Sequence, residues 1–133
     1  MLRRQFVKGI LSGIVSLVLL PSRRGRADHI PIFTCVTAGF QYYEGPAIIK
    51  KLTPGDLLHL KREPDNTYDS KAVALYTPEH GKLGYIPRHL NQIPAAHLDN
   101  GGKLYALVHS TAPYQPPWEM LEVAVMLERK TGG

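Results

Sequence analysis

Asp65, Thr67 and Asp69 alternate through a short polar stretch, the spacing with which oxygen ligands enter a calcium loop. The glycine and the distal glutamate that such a loop requires are missing, so the spacing does not describe a calcium site. Six histidines (His29, His59, His80, His89, His97 and His109) are scattered along the chain. None stands four residues from another beside a glutamate, as a zinc hydrolase would need. Cys35 is the only cysteine, which excludes an intramolecular disulfide and a cysteine-based metal site. Within Ile32-Phe33-Thr34-Cys35-Val36 it reads as a small buried hydrophobe. The sequence holds no glycine-rich phosphate loop, no serine-nucleophile elbow and no paired-carboxylate motif. No enzyme, no cofactor and no metal is expected, which leaves binding.

Charge bears on what would be bound. The formal net charge of +5 over 133 residues suggests an anionic partner, but its distribution is lopsided. Residues 1–27 hold six of the Lys and Arg residues and no acid. Residues 28–133 hold the other ten against eleven Asp and Glu, so this part is nearly neutral. Global basicity is therefore no argument for nucleic-acid binding. The first segment is basic, then apolar from Ile10 to Leu20, then ends in Gly25-Arg26-Ala27. That is the layout of an export signal, too short for a permanent span. Arg3-Arg4-Gln5-Phe6-Val7-Lys8 resembles the bacterial twin-arginine motif, with Leu2 where Ser or Thr is usual. The expectation is an export segment at 1–27, a bacterial periplasmic location and no stable membrane insertion after its removal. If the segment is not a functional signal, the protein is cytoplasmic.

A mainly β domain is expected over 28–133. Ile32–Gly39, Asp56–Lys61, Ala72–Thr77, Lys82–Ile86, Lys103–Ser110 and Glu119–Leu127 read as strands between Gly, Pro and Asn/Asp punctuation. A helix is expected between Pro87 and Leu98, stopped by Asn100-Gly101-Gly102 and broken into two pieces by Pro94. A second short helix or turn is expected at Pro46–Leu52, and a proline-stiffened loop at Ala112–Pro117. Six strands and one or two short helices make a small barrel the economical solution.

Three blocks stand in a specific order: Ala38-Gly39-Phe40-Gln41-Tyr42-Tyr43-Glu44-Gly45, then Leu60-Lys61-Arg62-Glu63-Pro64-Asp65-Asn66-Thr67-Tyr68-Asp69-Ser70-Lys71-Ala72-Val73, then Leu83-Gly84-Tyr85-Ile86-Pro87-Arg88. Together they resemble the HIRAN domain over residues 32–127, with Thr67 standing where Pro is common. The resemblance implies a six-stranded, OB-like barrel with small helices. Some members of that family capture the free 3′ end of single-stranded DNA, and others are stand-alone bacterial proteins of mostly unassigned role. The resemblance implies a binding module of the first kind.

Under that resemblance, Tyr42 and Tyr68 match positions that stack unpaired bases, each worth ~1–3 kcal/mol. Asp69 matches a carboxylate that accepts a hydrogen bond from the terminal hydroxyl, and Arg88 a cation near phosphate. Tyr85 would line the pocket, and Gln41 stands where DNA-binding members carry Arg. Tyr114 is a further candidate stacking face. Structural roles compete with each of these. Asp65–Asp69 is equally a turn closed by Asx side chains, and Arg88 a solvated helix residue. Tyr43, Tyr76 and Tyr105 are expected as core or cross-strand residues. Lys50, Lys51, Lys61, Arg62 and Arg88 are the candidates for a local basic patch. Two functions follow: a single-stranded nucleic-acid binding module, or an exported binding domain whose pocket takes a nucleotide, glycan or protein segment.

Overall fold

The computed structural model describes residues 27–130. The expected export segment lies outside the described residues except for Ala27. Among the described residues there are six strands: β1 (Ala27–Val36), β2 (Leu57–Glu63), β3 (Ala72–Thr77), β4 (Gly81–Tyr85), β5 (Lys103–Thr111) and β6 (Leu121–Lys130). They form one sheet in the order β1-β6-β5-β2-β3-β4. Antiparallel pairs set its register, with His59 opposite Tyr76 and Tyr105, Ala74 opposite Tyr85, and Val108 opposite Val123.

The two ends of that order meet. Beyond β1, the Thr37 amide donates to the Leu121 carbonyl at 3.0 Å, and the next residue turns the other way. Ala38 and Tyr85 exchange both backbone hydrogen bonds, at 2.8 and 2.9 Å, which links the first strand to the last. The sheet is therefore a small closed barrel, as the alternating strands and the family blocks predict. Its interior is filled by Leu58, Val73, Leu75, Leu83, Val108, Leu121, Val123 and Val125, with Phe40 and Ile86 fully buried beside them. Cys35 belongs to this core, and burial pushes its thiol up to about 12, as expected of a packing residue.

Two α-helices cover the barrel, α1 (Gly45–Ile48) and α2 (Gln92–Asp99). Gly45 opens α1 where the Phe40 ring would collide with any Cβ, so glycine is needed there for close approach. α2 corrects one expectation. The helical stretch breaks at Asn91, between a 3-10 turn at Arg88–Leu90 and α2, and not at Pro94. Pro94 is the third residue of α2, within the first turn, where a backbone N–H has no intrahelical acceptor to lose. β1 also begins five residues before the expected Ile32, running through Pro31. Proline is tolerated in an outer strand of the order, which leaves ladder bonds unmade in any case.

Candidate nucleic-acid interface

The β2–β3 connection is built by two side chains. Asn66 accepts from the backbone amides of Tyr68 and Asp69 at 2.8 and 3.1 Å, closing an Asx turn. Its Nδ2 donates to Glu63 Oε1 at 3.2 Å, fastening the turn to the end of β2. Asp69 accepts from the Lys71 amide at 2.9 Å through Oδ1 and from Asn91 Nδ2 at 2.7 Å through Oδ2. The connection is thereby held to itself and to the start of α2. Rigidity comes from hydrogen bonds, so Thr67 at the apex loses little by not being proline. With its backbone so fixed, Tyr68 projects outward and is 88% exposed.

Beneath the turn lies a polar network that joins the three sequence blocks. The Tyr85 hydroxyl donates to Glu63 Oε1 at 2.6 Å. Lys82 reaches the Tyr85 oxygen at 2.9 Å and Glu63 Oε2 at 2.7 Å. Its ammonium also sits 4.9 Å from the centre of the Tyr43 ring and 4.8 Å from that of Tyr85. Tyr43 and Tyr85 meet edge to face at 6.0 Å. Burial and the Glu63 carboxylate together push the Tyr85 phenol up to about 12, so it stays a neutral donor. Desolvation works against the Lys82 charge, but its bonds to Glu63 and Tyr85 outweigh that and raise its pKa. Desolvation also opposes the Glu63 charge, and hydrogen bonds from Lys82, Tyr85 and Asn66 outweigh it, lowering the pKa. Asp69 is lowered by the Lys71 amide first, then by Asn91 and the nearby Arg88.

These shifts fix a pH dependence. A carboxylate with a folded pKa below its unfolded value contributes full stability above the ordinary carboxylate range near 4. That contribution is lost as pH falls through the folded pKa. Thermal midpoints measured from pH 6 down to pH 3 are expected to fall, and Glu63→Gln to fall less steeply than wild type over that window. A parallel decline in both would show that the Glu63 network carries no linked stability.

Between the turn and this network opens a cleft of about 250 Å³. Tyr68, Asp69 and Arg88 line it together with Tyr43, Tyr85 and Ile86. Four of the six sequence-predicted residues thus lie together: Tyr68, Asp69, Tyr85 and Arg88. Gln41 and Tyr42 do not line this cleft. They sit on the 3-10 turn Phe40–Tyr42, where Phe40 turns into the core and Tyr42 stands 76% exposed. Its neighbour Tyr43 takes the wall, a position expected to be core or cross-strand. A second 3-10 turn, Pro117–Glu119, packs beside Phe40–Tyr42 and presents Trp118, 57% exposed. Trp118 is a large flat face on the turn beside Phe40–Tyr42 and was not among the sequence candidates; a lone Trp among prolines was the available signal. Tyr114 is exposed in the same proline-rich connection.

The basic patch does not assemble as one surface. Arg62 is spent on Asp99, through Nε at 2.8 Å and Nη2 at 3.2 Å, and on the Ala72 carbonyl. Lys51 lines a separate depression with Asp56 and the Thr77–His80 turn, and Lys61 lies 5.9 Å from the centre of the Tyr76 ring. Arg88 is exposed and makes no ion pair among the described residues. It is the cation that the cleft offers.

Comparison with known proteins agrees with this architecture. The family model described as HIRAN domain matches residues 32–129. A protein from Lactobacillus plantarum of known crystal structure is 30% identical, covering 77% of this chain and 98% of that one, with a TM-score of 0.69. The crystal structure of the HIRAN domain of human HLTF is 18% identical over 77% of this chain and 80% of that one, at a TM-score of 0.58. An NMR structure of that domain in its DNA-bound conformation, 19% identical, covers 74% of this chain and 79% of that one at 0.48. No curated protein matches the chain. Three ordered sequence blocks, the closed barrel they build and a family match across nearly all the described residues lead to one assignment: the chain belongs to the HIRAN domain family.

Proposed function

We propose that this protein is a nucleic-acid binding module that takes the free 3′ end of single-stranded DNA into the cleft beside Tyr68. One observation carries the reading: an exposed aromatic face, a carboxylate and a guanidinium without an ion pair among the described residues line the same cleft. Tyr68 supplies a face for a base, and Tyr43, Tyr85 and Ile86 complete the lining around it. Arg88 faces the phosphate that precedes the terminal sugar. Asp69 uses one lone pair of each oxygen on Lys71 and Asn91 and keeps acceptor capacity for a terminal hydroxyl. Tyr42 and Trp118 continue the aromatic surface outward for the next bases.

A nearly neutral domain gains little from phosphate neutralisation, so affinity rests on this cleft and long DNA is bound weakly. The test compares short oligonucleotides ending in a 3′-hydroxyl or a 3′-phosphate by fluorescence anisotropy. Like charge against Asp69 is expected to weaken the phosphate-ended strand by at least about tenfold. Equal affinity for both, or none for either, contradicts the reading and favours a different ligand. The export reading of residues 1–27 belongs to the same proposal. Intact mass of the mature N-terminus tests it, with cleavage after Ala27 expected and an uncleaved chain against it.

A further inference from the structure

The cleft beside Tyr68 is not the only depression that this residue lines. A second, wider one of about 550 Å³ shares Asn66, Tyr68, Asp69 and Arg88 with the first, but its other lining residues include Lys71, His89 and Gln92 in place of Tyr43, Tyr85 and Ile86. The first is mainly aromatic and apolar in its remaining lining; the second is polar and cationic.

We infer that this second cleft is a phosphate site, so that a nucleic acid whose base lies on Tyr68 is also held by a phosphodiester beside Lys71. The inference rests on the reading of the first cleft as a single-strand end site. Lys71 is exposed and has no ion-pair partner among the described residues. Asp99, whose charge it feels, is already held by two hydrogen bonds from Arg62. Arg88, shared with the first cleft, makes no ion pair among the described residues, and His89 beside it is exposed. Both oxygens of the one carboxylate in this cleft, Asp69, are engaged by the Lys71 amide and Asn91, and its charge is outnumbered by the two cations. An anion entering here meets a positive local field in a domain that is otherwise close to neutral. The tethered Lys71 backbone matters too. Because its amide is fixed on Asp69, the side chain starts from a set position at the cleft wall.

The phosphate has two possible sources, the bound strand itself or the complementary strand of an adjoining duplex. Lys71→Gln separates them, since it keeps the backbone bond to Asp69 and removes only an exposed charge. Affinity and its salt dependence are measured for a short single strand and for a duplex carrying a three-nucleotide 3′ tail. Loss of about fivefold with a salt slope reduced by roughly 0.7 on both substrates assigns the phosphate to the bound strand. The same loss on the tailed duplex alone assigns it to the second strand. Unchanged affinity and slope on both overturn the inference while leaving the first cleft intact. If wild-type protein binds neither DNA, the end-site reading fails and inorganic pyrophosphate decides the second cleft. Amide shifts at Lys71 and His89 that vanish in Lys71→Gln then uphold the anion site, and their absence in wild type removes it.

Discussion

Tyr68→Ala is expected to weaken binding of a short single-stranded 3′ end by roughly 5- to 150-fold, the ~1–3 kcal/mol of one base–aromatic stack. The same substitution should leave the thermal midpoint unchanged, because a ring that is 88% exposed contributes almost nothing to the core. That separation of binding from stability gives the experiment its force. The backbone at Tyr68 is held by Asn66 Oδ1, not by the ring, so the turn survives the loss of the side chain. Tyr68→Phe keeps the face and should bind within about twofold of wild type, since stacking does not use the hydroxyl. Anisotropy titration of both variants beside their melting curves checks all of this. An alanine variant with unchanged affinity would remove Tyr68 from the interface.

Gly84→Ala is expected to have the largest effect on the fold itself. Gly84 has φ of +148°, a backbone conformation that side chains rarely adopt. A Cβ there would also run into the Ala38 carbonyl oxygen and the Thr37 methyl group. Those are the residues through which the outer strands meet, and Tyr85 next along the chain makes the closing pair. The neighbouring atom is backbone, so relief requires moving the closure, not a flexible side chain. Strain and overpacking together should cost roughly 2–5 kcal/mol. In a domain of this size that lowers the melting midpoint by on the order of 10–20 °C. Gly55→Ala is the control: its φ of +97° is also unfavourable, but a Cβ there meets nothing, so the loss should be clearly smaller. Equal midpoints for the two variants would show that the Ala38–Tyr85 closure does not bear on stability.

The parts legible in the sequence were those governed by local rules. β3 appears at Ala72–Thr77 as read, because its continuous apolar run between turn residues has no competing interpretation. The Asx chemistry of Asn66 and Asp69 was visible as a turn, and both side chains do bond the local backbone. What could not be read locally depends on distant partners. Asn91, not Pro94, ends the first helical piece, and its side chain is committed to Asp69, 22 residues away. Lys82 reads as an ordinary polar strand residue, yet it bridges Glu63 and Tyr85 and faces the Tyr43 ring. Tyr42 ends a 3-10 turn and stands exposed, while Tyr43 just beyond it is extended and lines the cleft. Neither hydrophobic spacing nor residue type distinguishes two adjacent tyrosines.

The central claim is that a strand end is received by an aromatic and cationic opening on this barrel, and amide chemical-shift mapping with a short 3′-hydroxyl oligothymidylate addresses it most directly. The account predicts the largest shifts at Asn66–Lys71 and Tyr85–Asn91, with lesser ones around Tyr42 and Trp118. Shifts confined to the separate groove around Leu57, His59 and Tyr105, or none at saturating oligonucleotide, would contradict it.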